Sequence, residues 1–228
     1  MFLSAVAQAA SLQISPVTVD MPSDANATGI TLSNPGDQPL YGQVRVFRWG
    51  QSDTEDTLDA TQDIVASPPL IQIAPHSDQL VRLVRQSRDA TTTEQSFRVL
   101  IDEIPRPDAA ATNGVTIRLR YSVPVFVHPV GPIGKPELSW QLQRGGQGWM
   151  LRVTNAGSRH GQIGEVTLAS AGKTWTLNTG LLGYVLAGRT QQWKVNLDPN
   201  IVLRGPLTLR ATINGQPSDA SVAVPGPD

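Results

Sequence analysis

The stretch that most constrains this chain is Val115 to Val127, VTIRLRYSVPVFV. Val115, Ile117, Leu119, Tyr121, Val123, Val125 and Val127 are apolar, and Thr116, Arg118, Arg120 and Ser122 alternate with them. A period of two places the apolar set on one face of a β-strand. Thirteen residues at ~3.3 Å each would run roughly 40 Å, well beyond an ordinary strand of about five or six residues. Pro124 lacks a backbone donor, so its position belongs at a sheet edge or a bulge. A long edge strand with an apolar face invites pairing with another chain unless something covers it. The cover is either the rest of this chain, with the stretch acting as a core strand of a sandwich, or a partner.

The 228 residues suffice for two β domains, and the formal net charge of −1 gives no global attraction to nucleic acid or an anionic surface. Cysteine is absent, which excludes disulfides and thiolate metal sites. Gly and Pro are frequent (20 and 18), and aromatics are few, which favours an all-β chain with many turns. Met1 to Ala10, MFLSAVAQAA, resembles the end of a secretory signal peptide with its small-residue cleavage site, although a basic leader is missing. We read residues 1–10 as a remnant of such a peptide and expect an exported protein.

From Leu12 to Ile104 about seven short strands follow one another. Leu12 to Val19 is interrupted at Pro16, Thr28 to Leu32 ends at the turn Asn34-Pro35-Gly36-Asp37, and Leu40 to Trp49 alternates. The acidic segment Gln51 to Asp63 reads as a surface loop. Leu70 to Ile73, Gln79 to Val84 and Phe97 to Ile104 complete the set. Turns every 8–12 residues or so suggest an immunoglobulin-like sandwich. Arg106 to Gly114 is a polar loop leading into the long strand. His128 to Pro136, rich in Pro and Gly, reads as a stiff linker. A second run of strands follows, with Trp140, Trp149, Trp175 and Trp193 as core anchors and Asn214-Gly215 as a hairpin signal. The expected organisation is residues 11–128 as a first domain, 129–136 as linker and 137–228 as a second β-sandwich.

No chemistry-bearing constellation stands out. His76, His128 and His160 have no partner at metal-ligand spacing, so no metal and no cofactor are expected. The acidic run Asp53, Glu55, Asp56, Asp59 and Asp63 lacks calcium-loop spacing. Asp102 and Glu103 are neighbours on a strand, so they point to opposite faces, which argues against a catalytic dyad. With no nucleophile motif, binding or scaffolding becomes the default role and the chain is not read as an enzyme.

Several segments in order, LQISPV at 12–17, TLSNPGDQPL at 31–40, VRVFRW at 44–49, SPPLIQIAP at 67–75, LVRL at 80–83, DEIP at 102–105, RYSVPVFV at 120–127 and GYVLAG followed by Trp193, resemble the periplasmic pilus-assembly chaperones of the chaperone–usher pathway, above all the archaic branch. The resemblance implies two immunoglobulin-like domains in an L-shaped boomerang, without enzymatic activity. It implies that the long strand is lent to a pilus subunit lacking its last strand, until an outer-membrane usher exchanges it for another subunit's extension. On that reading Val115, Ile117, Leu119, Tyr121 and Val123 would enter the subunit groove. Relatives anchor the subunit's terminal carboxylate with an Arg and a Lys, whose positions here fall at Val17 or Thr18 and near Pro124. Arg118 and Arg120, on the face opposite the apolar set, are the remaining cationic candidates. Arg82 and Glu94 match two members of the family's interdomain network, with Asp198 as the nearest third. Self-association of the free chain is left open. The alternatives are a secreted structural or adhesive pilus component, and a carbohydrate-binding or hydrolytic sandwich protein. The first should have an incomplete sandwich, and the second exposed aromatics or paired acids at loop ends.

Overall fold

The computed structural model describes residues 12–87, 91–105, 118–146, 148–198, 201–203 and 206–223. The leader-like residues 1–10, the loop from Arg106 to Gly114, and Val115 and Ile117 lie outside the described residues. Among the described residues the regular structure is all β. Two compact units emerge: Met1–Trp49 with Leu58–Thr91 and Gln95–Val130, and Gly50–Thr57 with Thr92–Glu94 and Gly131–Asp228. The short segments 50–57 and 92–94 sort with the second unit, which no linear division of the chain expresses.

The first ten strands are β1 (Gln13–Ser15), β2 (Val19–Pro22), β3 (Ala27–Asn34), β4 (Leu40–Gln51), β5 (Asp56–Ala60), β6 (Ile64–Ser67), β7 (Leu70–Ile73), β8 (Ser77–Arg85), β9 (Gln95–Glu103) and β10 (Arg120–His128). They form a four-stranded sheet, β1-β3-β8-β6, and a six-stranded sheet, β2-β10-β9-β4-β5, with β7 also paired to β4. The two-residue period does the sorting. Ile30 and Leu32 of β3 and Val81 and Leu83 of β8 meet Phe97, Val99 and Ile101 of β9 and Val125 and Val127 of β10 in one buried core. Each such side chain contributes roughly 1.5–3 kcal/mol on burial.

The stretch from Leu12 to Val19 forms two strands in different sheets. β1 pairs with β3, and after Pro16 to Thr18 the chain crosses to pair β2 in parallel with β10. A chain that changes sheet needs an interruption, and Pro16 supplies it. The acidic segment is not a loop throughout, because β5 runs through it. All five β5 residues are exposed, so no alternation marks them in the sequence. The turn at Asn34 is as expected: its carboxamide accepts the Gly36 N–H at 3.1 Å and donates to the Ile73 and Ala74 carbonyls.

The second unit contains β11 (Leu138–Gly145), β12 (Gly148–Asn155), β13 (Gly161–Ser170), β14 (Lys173–Asn178), β15 (Gly183–Val185), β16 (Thr190–Lys194), β17 (Thr208–Ile213) and β18 (Gln216–Ala223), connected in the order β14-β13-β17-β18-β11-β12-β16 with β15 on β13. Trp140 and Trp149 are in its core, and Trp175 and Trp193 pack against that core. Asn214 and Gly215, with φ of 48° and 78°, turn the β17–β18 hairpin, as an Asn-Gly pair favours. The three-residue β15 was not legible in the sequence. It begins at Gly183, where φ is 155° and an added Cβ would lie 2.9 Å from the Trp193 ring.

Candidate functional site

The backbone of β10 has two halves. β9 pairs with it throughout, from Arg120 opposite Asp102 to Val127 opposite Gln95, without a shift in register. β2 covers the other side only from Val125 to His128. Among the described residues no strand pairs with 120–124 on that side. The Glu103 N–H donates to the Leu119 carbonyl at 3.1 Å. By antiparallel alternation, Leu119, Tyr121 and Val123 then direct their backbone groups to β9, while Arg120, Ser122 and Pro124 direct theirs to the open side. Pro124 therefore costs no bond to β9, and the bulge expected around it is not needed.

The apolar face leaves the core gradually along the same strand. Val123 is 4% exposed and belongs to the chain's own core, so it is removed from the set of side chains offered to a partner. The strict alternation continued through Pro124, and Val123 stayed on the inner face where Phe97, Val99 and Ile101 already wait. Tyr121 is half-buried against that core. Leu119, next on the same face, is 40% exposed.

On the opposite face Asp102 holds two guanidinium groups. Arg45 donates to it at 2.6 Å, and Arg120 donates to its other oxygen. Burial pushes the Asp102 carboxyl up, but the hydrogen bonds from Arg120 and Arg45 outweigh it and leave the group below the usual aspartate range. Arg118 is exposed and lines, with Arg45, Asp102, Glu103, Leu119 and Arg120, an open recess of about 470 Å³. Arg120 is thus engaged by Asp102. Val17 is 74% exposed between β1 and β2, and carries no charge for an anchor.

Glu103 continues the inner face of Phe97, Val99 and Ile101. Burial pushes its carboxyl above the ordinary glutamate value, partly offset by hydrogen bonds from the Leu119 N–H and the Tyr121 hydroxyl. The expectation that Asp102 and Glu103 face apart holds. From the sequence Glu103 is weighed only as a dyad partner of Asp102, although its parity with three core residues is a readable signal.

Arg82 belongs to the first unit and Glu94 to the second. Arg82 is exposed on β8, opposite Gly29 and Ser67. Glu94, its side chain 1% exposed, belongs to the second unit, where it accepts the His160 N–H at 2.8 Å and faces the His160 ring at 3.0 Å. Asp198 accepts the Trp149 indole N–H through its backbone carbonyl. No local motif signals the partner of this buried histidine, because its acid is 66 residues away.

Three solved structures illustrate the fold. A chain of the CsuC–CsuE chaperone–tip adhesion subunit pre-assembly complex, from the archaic chaperone–usher Csu pili of Acinetobacter baumannii, is 22% identical, covers 95% of this chain and 100% of its own, and has a TM-score of 0.74. The YadV chaperone is 21% identical over 92% of this chain and 98% of its own, with a TM-score of 0.68. A chain of the Salmonella enterica SafA pilin–SafB chaperone complex is 18% identical over 95% and 98%, with a TM-score of 0.67. No curated protein matches. The fold they share with this chain is all-β, with two immunoglobulin-like sandwich domains. The family described as "Pili and flagellar-assembly chaperone, PapD N-terminal domain" matches residues 11–132, more than half of the chain, and the protein belongs to that pilus-assembly chaperone family.

Proposed function

We propose that this protein captures pilus subunits in the periplasm by lending them the open edge of β10 as a missing strand, then yields them to an outer-membrane usher. The observation that carries this reading is the half-uncovered β10, whose apolar face runs out of the chain's own core between Val123 and Leu119. Strand addition draws affinity from backbone hydrogen bonds and specificity from alternate side chains. Arg120 and Ser122 offer the backbone groups, and Leu119 offers the first exposed apolar side chain. Val115 and Ile117 continue its alternation in sequence. Burying each aliphatic side chain in a subunit groove would contribute roughly 1.5–3 kcal/mol, less the cost of association. Holding and handing over a strand requires no bond chemistry, so neither a catalytic group nor a cofactor is assigned.

The test is co-expression with the secreted products of the neighbouring genes, followed by purification from the periplasm. A one-to-one complex with a small β protein is expected for the wild type, and Leu119→Asp should lose it while remaining folded. A complex that survives Leu119→Asp unchanged would remove the assigned edge from the account.

A further inference from the structure

The root of the open edge is held by a side chain. The Glu103 N–H donates to the Leu119 carbonyl at 3.1 Å, and the Leu119 N–H faces the Glu103 carboxylate, Oε2, at a longer 3.5 Å. In a regular antiparallel pair both bonds run between backbones. Here the second is made by the carboxylate, one residue beyond the last ladder pair, Arg120 with Asp102. Ile104 and Pro105 follow at once, and the Ile104 N–H goes to the Tyr41 carbonyl of β4. The carboxylate thus extends the pairing to Leu119, one residue before β10 begins and opposite the last residue of β9.

Its surroundings fit this task. Glu103 sits at the inner-face end of β9, where the apolar face of the long strand passes from Val123 in the core to Leu119 in the open. Tyr121, half-buried against the core, stands between Val123 and Leu119 on the same face. The cations lining the recess around it are Arg45, Arg118 and Arg120, and of these Arg45 and Arg120 are engaged by Asp102. Burial also raises the Glu103 carboxyl, which marks it as a confined group.

Taking the lent-strand function as given, we propose that Glu103 is a positioning residue that fixes the register of the donor segment by holding the Leu119 N–H. A slip of one residue in a strand turns every side chain to the other face. Such a slip would present Arg118 and Arg120 to the subunit groove in place of Leu119. A side-chain hold at residue 119 sets which residues meet the groove before any partner arrives.

The experiment compares Glu103→Ala and Glu103→Gln with the wild type. It follows the hydrogen exchange of the Leu119 amide in the free chain and the yield of co-purified subunit. Glu103→Ala should exchange Leu119 roughly three- to tenfold faster, the worth of one hydrogen bond, and recover less subunit. Glu103→Gln keeps an acceptor oxygen and should restore both. Unchanged exchange in Glu103→Ala, faster exchange with normal subunit recovery, or a Gln variant as impaired as Ala would each overturn the proposal. Should the wild type capture no subunit at all, the lent-strand function fails instead, and the exchange of Leu119 alone decides whether Glu103 holds it.

Discussion

Asn155 shows how much one side chain can hold. It is fully buried at the end of β12, where its Oδ1 accepts the N–H groups of Glu137 and Gly157, both at 3.0 Å. Its Nδ2 donates to the carbonyls of Arg159 at 2.7 Å and Val185 at 3.1 Å. Gly157 is required beside it, because an added Cβ would lie 2.2 Å from the Lys135 carbonyl oxygen. Asn155→Ala would strand several buried backbone groups at once, and a loss of roughly 3 kcal/mol is expected in urea unfolding. Asp102 and Glu103, adjacent in sequence, should titrate with opposite signs. The Asp102 carboxyl is held low in the folded state. The stability it contributes is present above the ordinary aspartate value and is lost as pH falls through its depressed value. Glu103 is held high, so its contribution is present below the ordinary glutamate value and is lost as pH rises through its raised value. Unfolding midpoints followed across the acid range should therefore lose their acid-side fall in part with Asp102→Asn. In Glu103→Gln they should lose the opposing decline at higher pH. The same slope in both variants would contradict these assignments.

At the scale of the element, β10 is a strand with two functions along its length. From Val125 onward it is a central strand, with β9 on one side and β2 on the other. Before that it is an edge, and edges of this kind invite pairing. Proline at Ser122 would remove an N–H from the open side while leaving every bond to β9 in place. Ser122→Pro is therefore expected to lower the recovery of bound subunit severalfold with only a small change in melting temperature. A collapse of melting temperature would mean that Ser122 pairs inward and that the alternation is assigned the wrong way round. The elements also show where sequence reading stops. The twofold alternation of Leu119 to Val125 and the turn residues at Asn34 and Asn214 were legible because each has a local cause. β5 was not, since an all-exposed strand leaves no pattern, and neither was β15, which depends on a partner about twenty residues earlier in the chain. Period alone cannot say how far along a strand the chain's own core extends, so nothing in the sequence marks Val123 as a member of that core.

At the scale of the whole molecule, the all-β class followed from composition and turn spacing, and membership in the pilus-assembly chaperone family agrees with the order of the matching segments. The links that depend on distant partners stayed hidden. Glu94 finds His160 and Gln51 bonds the backbone of Tyr184, at separations of 66 and 133 residues that no local motif signals. The central claim concerns the uncovered backbone of β10, and the most direct measurement is amide hydrogen exchange of the chain alone and with a bound pilus subunit. The account expects the Arg120 and Ser122 amides to exchange freely in the chain alone and to become protected in the complex, with Val125 to Val127 protected in both. Protection that appears elsewhere, while Arg120 and Ser122 exchange as fast in the complex as in the free chain, would contradict it.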